Sequence, residues 1–186
     1  MKVLSARFGV ISALVVLAIS TRFIPHPPNF TALTAVALFS GACFDRKYLA
    51  FVVPFAAMFL SDLFLELTTG WGFHANMFSV YLSFGLIALI GSKFNRSQKV
   101  GPLSISVLAS AMIFFVLTNF SVWMTGSFYP HSLAGLMACY VAAIPFAINQ
   151  IAGDVFFTSA LFCSWWVAQI SSPPLRAQHP VEIKGI

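Results

Sequence analysis

Charge is what this sequence lacks most. Asp, Glu, Lys and Arg make up only 8% of its 186 residues, against about 25% in an average soluble domain. Acids are the scarcest, with five in the whole chain. So few charged side chains cannot cover a water-facing surface of this size, which excludes a soluble enzyme and a disordered tail. Cysteine is nearly absent as well. Cys43, Cys139 and Cys163 are odd in number, form no CxxC pair and lie in or beside apolar stretches. They read as small buried hydrophobes, not as a disulfide framework or a zinc knuckle. The chain has no Walker A loop, no GxSxG elbow and no HExxH pair. It therefore does not read as an enzyme and has no means of hydrolysing ATP by itself. No cofactor is implied. No long repeat or linker divides it, so residues 1–186 read as a single integral membrane domain.

What is present is hydrocarbon. Hydrophobic residues make up 59% of the chain, Phe alone contributes 21, and the mean hydropathy is +0.90. The composition predicts an all-α polytopic membrane protein with small loops. Six apolar segments are expected to span, over residues 8–23, 30–44, 48–67, 75–92, 103–124 and 147–170. The second is short for a crossing, since a span needs about 20 residues. Runs this long without polar alternation exclude barrel strands, so the spans must be helices. Residues 131–144 are too polar at their start and too short to cross. They predict a short interfacial or re-entrant helix that stops at Pro145 and either covers a pocket as a lid or packs on lipid.

The basic residues set an orientation. With the N-terminus inside and six spans threaded, Lys2, Arg7, Arg46, Lys47, Lys93, Arg96, Lys99, Arg176 and Lys184 all fall on the cytoplasmic side. Arg22 alone falls outside. This is the positive-inside pattern of an inner-membrane protein with both termini cytoplasmic. The cations are scattered singly, so the net charge of +5 does not imply nucleic acid as a partner. The first segment, with Lys2, Arg7 and Ala18-Ile19-Ser20, also fits a secretory signal. Arg22 and a proline-rich turn leading straight into the second segment fit a retained hairpin.

Polar residues inside the spans are the candidates for function, because a mid-membrane carboxylate costs about 2.5–3.5 kcal/mol on insertion scales. Asp45 and Glu182 are cytoplasmic on this threading, and Glu66 is near a helix end. That leaves Asp62 and Asp154, each roughly 8–10 Å below the outer surface. Asn119 reaches a similar depth, and Asn149 and Gln150 lie just above Asp154. The inner halves of these helices are nearly pure hydrocarbon. The pattern predicts an outward-facing polar pocket over an apolar floor, lined by Asp62, Asn119, Asn149 and Asp154. The alternative is that the acids bridge helices through hydrogen bonds.

Arg22-Phe23-Ile24-Pro25-His26-Pro27-Pro28-Asn29-Phe30-Thr31 is the most distinctive stretch. Its prolines stiffen it and end the first helix. Asn29 or Thr31 is expected to cap the second helix, and Asn29 with Arg22 to shape the pocket rim. A helix N-terminus there favours an anionic group. His26, His74 and His131 come from three separate loops and lack i, i+4 spacing, so they are only weak candidates for a metal.

Three stretches carry a resemblance: Arg22 to Thr31; Thr118-Asn119-Phe120 with Trp123; and Tyr129-Pro130 through Gly135-Leu136, Tyr140, Pro145-Phe146, Asn149 and Gly153-Asp154. They resemble an uncharacterised bacterial family of small six-span membrane proteins, over nearly the whole chain. In size, helix layout and outer polar pocket the chain is also similar to the substrate-binding S components of energy-coupling-factor transporters. That likeness implies capture of a vitamin-like solute from the periplasmic side and a separate ATPase and transmembrane coupling module as partner. The chain departs from such proteins in its first helix, where Gly9 and Ala13 give only one small-xxx-small step. The reading is therefore solute capture, with a structural or assembly protein and a proton-coupled carrier as alternatives.

Overall fold

The structure is a computed structural model and describes residues 2–93, 100–172 and 175. Arg96, Lys99, Arg176 and Lys184, used above to orient the chain, and Glu182, placed by that orientation, lie outside the described residues. Six α-helices are described: α1 (Lys2–Ser20), α2 (Leu33–Cys43), α3 (Leu49–Thr69), α4 (Met77–Lys93), α5 (Val100–Thr125) and α6 (Leu133–Ser171). A 3₁₀ turn, Thr21–Phe23, extends α1. Four helical stretches are long and apolar enough to cross a membrane: Ala6–Phe23, Leu49–Thr69, Gly101–Thr125 and Leu133–Ser171. The outward faces of these helices expose large hydrophobics such as Leu17, Leu60, Leu108 and Ile148. A water-soluble monomer does not show apolar surface on this scale, whereas lipid solvates it.

The two shorter helices, α2 and α4, have 11 and 17 residues. At 1.5 Å per residue α2 is about 16 Å long, well below the roughly 30 Å hydrocarbon thickness. It is the hub of the bundle: every residue but Ala42 is buried, and it packs against each of the other five helices. A helix that is apolar on all sides is satisfied only by full enclosure. Small residues let α4 approach α2 closely. A Cβ at Gly41 would run into the Ala88 carbonyl and the Ser92 amide, and one at Gly91 into the Leu38 carbonyl. This is the small-residue packing by which membrane helices associate where lipid removes the hydrophobic driving force.

One sequence expectation is corrected. Residues 131–144 do not form a separate interfacial or re-entrant helix. Residues 133–144 are the first turns of α6, which runs unbroken for 39 residues through Pro145. Ser132 caps it, its hydroxyl accepting from the Gly135 amide. An interior proline costs about 3 kcal/mol in a water-exposed helix, but bundled membrane helices accommodate one. The reason is visible in the buried residues: Gly135, Cys139, Ala143, Gln150, Asp154, Thr158, Leu161 and Trp165 form one stripe at helical spacing across the proline. Packing of that stripe holds α6 together.

Candidate functional site

The turn between α1 and α2 is built by its own residues. Phe30 N–H donates to the Pro27 carbonyl at 3.0 Å, and Asn29 has φ 63°. Pro28 followed by a residue with positive φ is the pattern of a type II turn, and asparagine tolerates that conformation best after glycine. Asn29 is thus spent on the turn and does not cap α2. The cap position falls on Ala32, which makes no side-chain cap hydrogen bond. The first-turn amides of α2 therefore lack the partner a capping residue supplies. Water does not reach them easily, because Ala32, Leu33, Thr34 and Ala35 are all buried.

The turn lies over α6. Asn149 Nδ2 donates to the Pro28 carbonyl at 3.1 Å, and the Phe30 ring packs against Phe156 and Phe157. A Cβ at Gly153 would sit 3.2 Å from both Phe30 Cα and Thr31 N. A side chain at 153 would crowd the turn, which would have to shift by a few tenths of an ångström to admit even a Cβ.

Asp154 follows directly. It is 1% exposed, and neither carboxylate oxygen has a hydrogen-bond partner among the described residues. Thr34, in the first turn of α2, and Gln150, one turn earlier on α6, are the polar side chains that flank it. Gln150 spends its amide N–H on the Ala111 carbonyl of α5, at 3.2 Å. The hydroxyl of Thr158, one turn further along α6, is likewise buried without a partner among the described residues. An unmatched carboxylate and an uncapped helix start therefore meet at the α2–α6 seam, beneath the turn.

Asp62 is different. Its Oδ1 lies 2.6 Å from Arg22 Nη1, and its Oδ2 accepts from the Tyr81 hydroxyl at 2.7 Å. Arg22 also donates to Ser61 Oγ at 2.5 Å. The carboxylate is 3% exposed, but both oxygens are matched. This cluster ties the end of the 3₁₀ turn to α3 and α4. The structure thus joins Arg22 to Asp62 and sets Asn149 beside the Asn29 turn. No hydrogen bond or ion pair among the described residues joins Asp62 to Asp154. Asn119 Nδ2 donates to the Phe115 carbonyl of its own helix at 2.8 Å. His26 Nδ1 lies 3.0 Å from the Pro27 carbonyl, and the His131 ring packs on Trp123. Among the described residues no three His, Cys, Asp or Glu side chains gather where a metal ion could sit.

Sequence reasoning missed Tyr81 as the partner of Asp62, and Thr34 and Thr158 as the buried hydroxyl side chains of the α2–α6 seam. Tyr81 carries no local signal beyond a phenol in an apolar run. Thr158 is recoverable from its i+4 spacing to Asp154.

Residues 2–175 match the model of a family described as a family of unknown function (DUF6580). No curated protein and no solved structure matches the chain.

Proposed function

The chain belongs to DUF6580, and on that premise we propose that it is a membrane protein that captures a small polar solute at the α2–α6 seam around Asp154. The carrying observation is the buried, unpartnered Asp154 carboxylate set against the uncapped start of α2. A group serving only to lock helices is matched, as Asp62 is. A group left unmatched at a cost of about 1–3 kcal/mol is retained for something it meets during function. Acceptors on Asp154 and Thr158 suit the donors or positive end of a guest, and the α2 amides suit its acceptors. In this reading Asp154, with Asn149 above it, lines the site. The Asn29 turn covers it, and Arg22 with Asp62 anchors that cover. Asn119 is a more distant wall.

The topology belonging to this reading is six spans in an inner membrane, both termini cytoplasmic and the Asn29 turn outside. The positive-inside distribution supports it. Uptake would then proceed as in an S-component-like protein, with an energy-coupling ATPase module as partner. A proton-coupled carrier with Asp154 as its proton site is a second reading. It is favoured because no cationic side chain pairs with that carboxylate among the described residues. The test is mass spectrometry of small molecules that co-purify with the protein in lipid nanodiscs, repeated for Asp154→Asn. Loss of the guest with the fold retained supports capture. An identical set of co-purifying molecules in both proteins refutes it. In proteoliposomes, uptake that collapses with an uncoupler distinguishes the carrier from a module-driven protein.

A further inference from the structure

The groups around Asp154 narrow what its carboxylate can hold. Both of its oxygens are sealed from solvent and unpartnered among the described residues. Thr158, one turn along α6, is 2% exposed, and its hydroxyl is unpartnered in the same way. Thr34 brings a second buried hydroxyl from α2, and Gln150 a buried amide. Carboxylate, hydroxyl and amide oxygens are hard donors, and a hydroxyl can turn its lone pairs toward a cation. Buried carboxylates are paired with a cationic group or hold a metal ion. Among the described residues the ion pairs join Arg7 to Asp45 and Arg22 to Asp62, and none reaches Asp154. An acid left in this state inside a membrane marks an ion's path or resting place.

Charge sets the valence. Asp154 contributes one negative charge. The start of α2 contributes about half a positive charge, which helps to hold the carboxylate ionised and still leaves the seam negative. A monovalent cation offsets that carboxylate. A divalent ion would leave an uncompensated positive charge in a dry site, and no three His, Cys, Asp or Glu side chains gather among the described residues to balance it. Size sets the kind of cation. The carboxylate oxygens are already closed off from solvent, and beside them the Asn29 turn sits so close over α6 that a Cβ at Gly153 would lie 3.2 Å from Phe30 Cα and Thr31 N. Walls this tight suit a single atom better than an organic ammonium group.

We infer that Asp154, taken as a receptor as proposed above, forms with Thr158 and Thr34 a binding site for a bare alkali-metal cation. The test uses the full chain in lipid nanodiscs, equilibrated with radioactive Na+ in choline chloride buffer, and counts the label retained. The expected result is saturable retention of a single Na+, lost in Asp154→Asn. Thr158→Val should weaken binding about tenfold or more, the worth of one polar contact to a charge, and Thr158→Ser should keep it. Exchange of choline chloride for NaCl should also raise the unfolding temperature of the unsubstituted protein, a readout that needs no variant to fold. No saturable retention, or equal retention in Asp154→Asn, overturns the cation site. If the co-purifying molecules still differ between those two proteins, solute capture stands without the cation; if they are identical, both fall. An unfolding temperature that follows pH and ignores Na+ overturns the site in favour of a proton.

Discussion

Removing Arg22 gives the sharpest test of how the polar residues are divided. Asp62 is 3% exposed and draws its compensation from Arg22 at 2.6 Å and Tyr81 at 2.7 Å. Arg22→Met deletes the cation and leaves a buried carboxylate held by one phenol. Breaking one side of a buried pair costs about 3–5 kcal/mol, because the surviving charge stays desolvated. Asp62→Leu strands the guanidinium in turn, but less severely. The Arg22 side chain is 16% exposed against 4% for Asp62, and a long side chain can swing its head toward water. The double variant Arg22→Met/Asp62→Leu has no stranded charge and should recover most of the loss. Unfolding free energies of the four proteins, measured by steric trapping in lipid bicelles, give the coupling directly. A coupling of about 2 kcal/mol or more is expected. A value below about 0.5 kcal/mol would refute the argument, since it would make the pair equivalent to an exposed surface bridge.

Asp154 should behave oppositely. Replacing an unmatched buried carboxylate with Leu should leave stability unchanged or raise it by about 1–3 kcal/mol, while Asp62→Asn lowers it; thermal melts in one detergent compare them. Gly41→Val should lower stability by at least about 1–3 kcal/mol, because its side chain meets backbone at Ala88 and Ser92. Gly101→Val, with open space around it, serves as the control in the same assay. Gly153→Val should lift the Pro27–Thr31 turn off α6. Thiol labelling of a cysteine placed at Thr34 should then be faster than in the protein with Gly153 intact, and an unchanged rate would contradict the covering role of the turn.

Much of this architecture is legible in the residues, and the misses have physical causes. The proline run after α1 and Gly70 after α3 mark boundaries because they act through local backbone geometry, which a sequence carries in full. Gly70 indeed stands in the left-handed conformation, at φ 70°. Asp62 and Asp154 stand out because acids are so few. What does not show locally is which of them is matched. The partner of Asp62 is forty residues away, and its other partner is a tyrosine with no distinguishing neighbours. Asn119 reads as a pocket residue by depth alone, yet its amide turns back onto its own helix. Pro145 reads as a stop because soluble helices obey that rule. The small and polar stripe from Gly135 to Trp165 was the contrary signal, visible only when spacing is followed across the proline. The shortness of the second segment was also legible, but its place at the centre of the bundle depends on contacts from every side.

The 39 residues of α6 have a consequence for how the molecule stands. At 1.5 Å each they extend about 58 Å, whereas a bilayer with its headgroups is about 40–45 Å thick. Leu133, Met137 and Val141 still present bare hydrocarbon, at 74%, 61% and 63% exposure, on one flank of the first turns, so an upright rod would push greasy side chains into water. A rod longer than the bilayer is thick keeps such side chains in lipid by tilting.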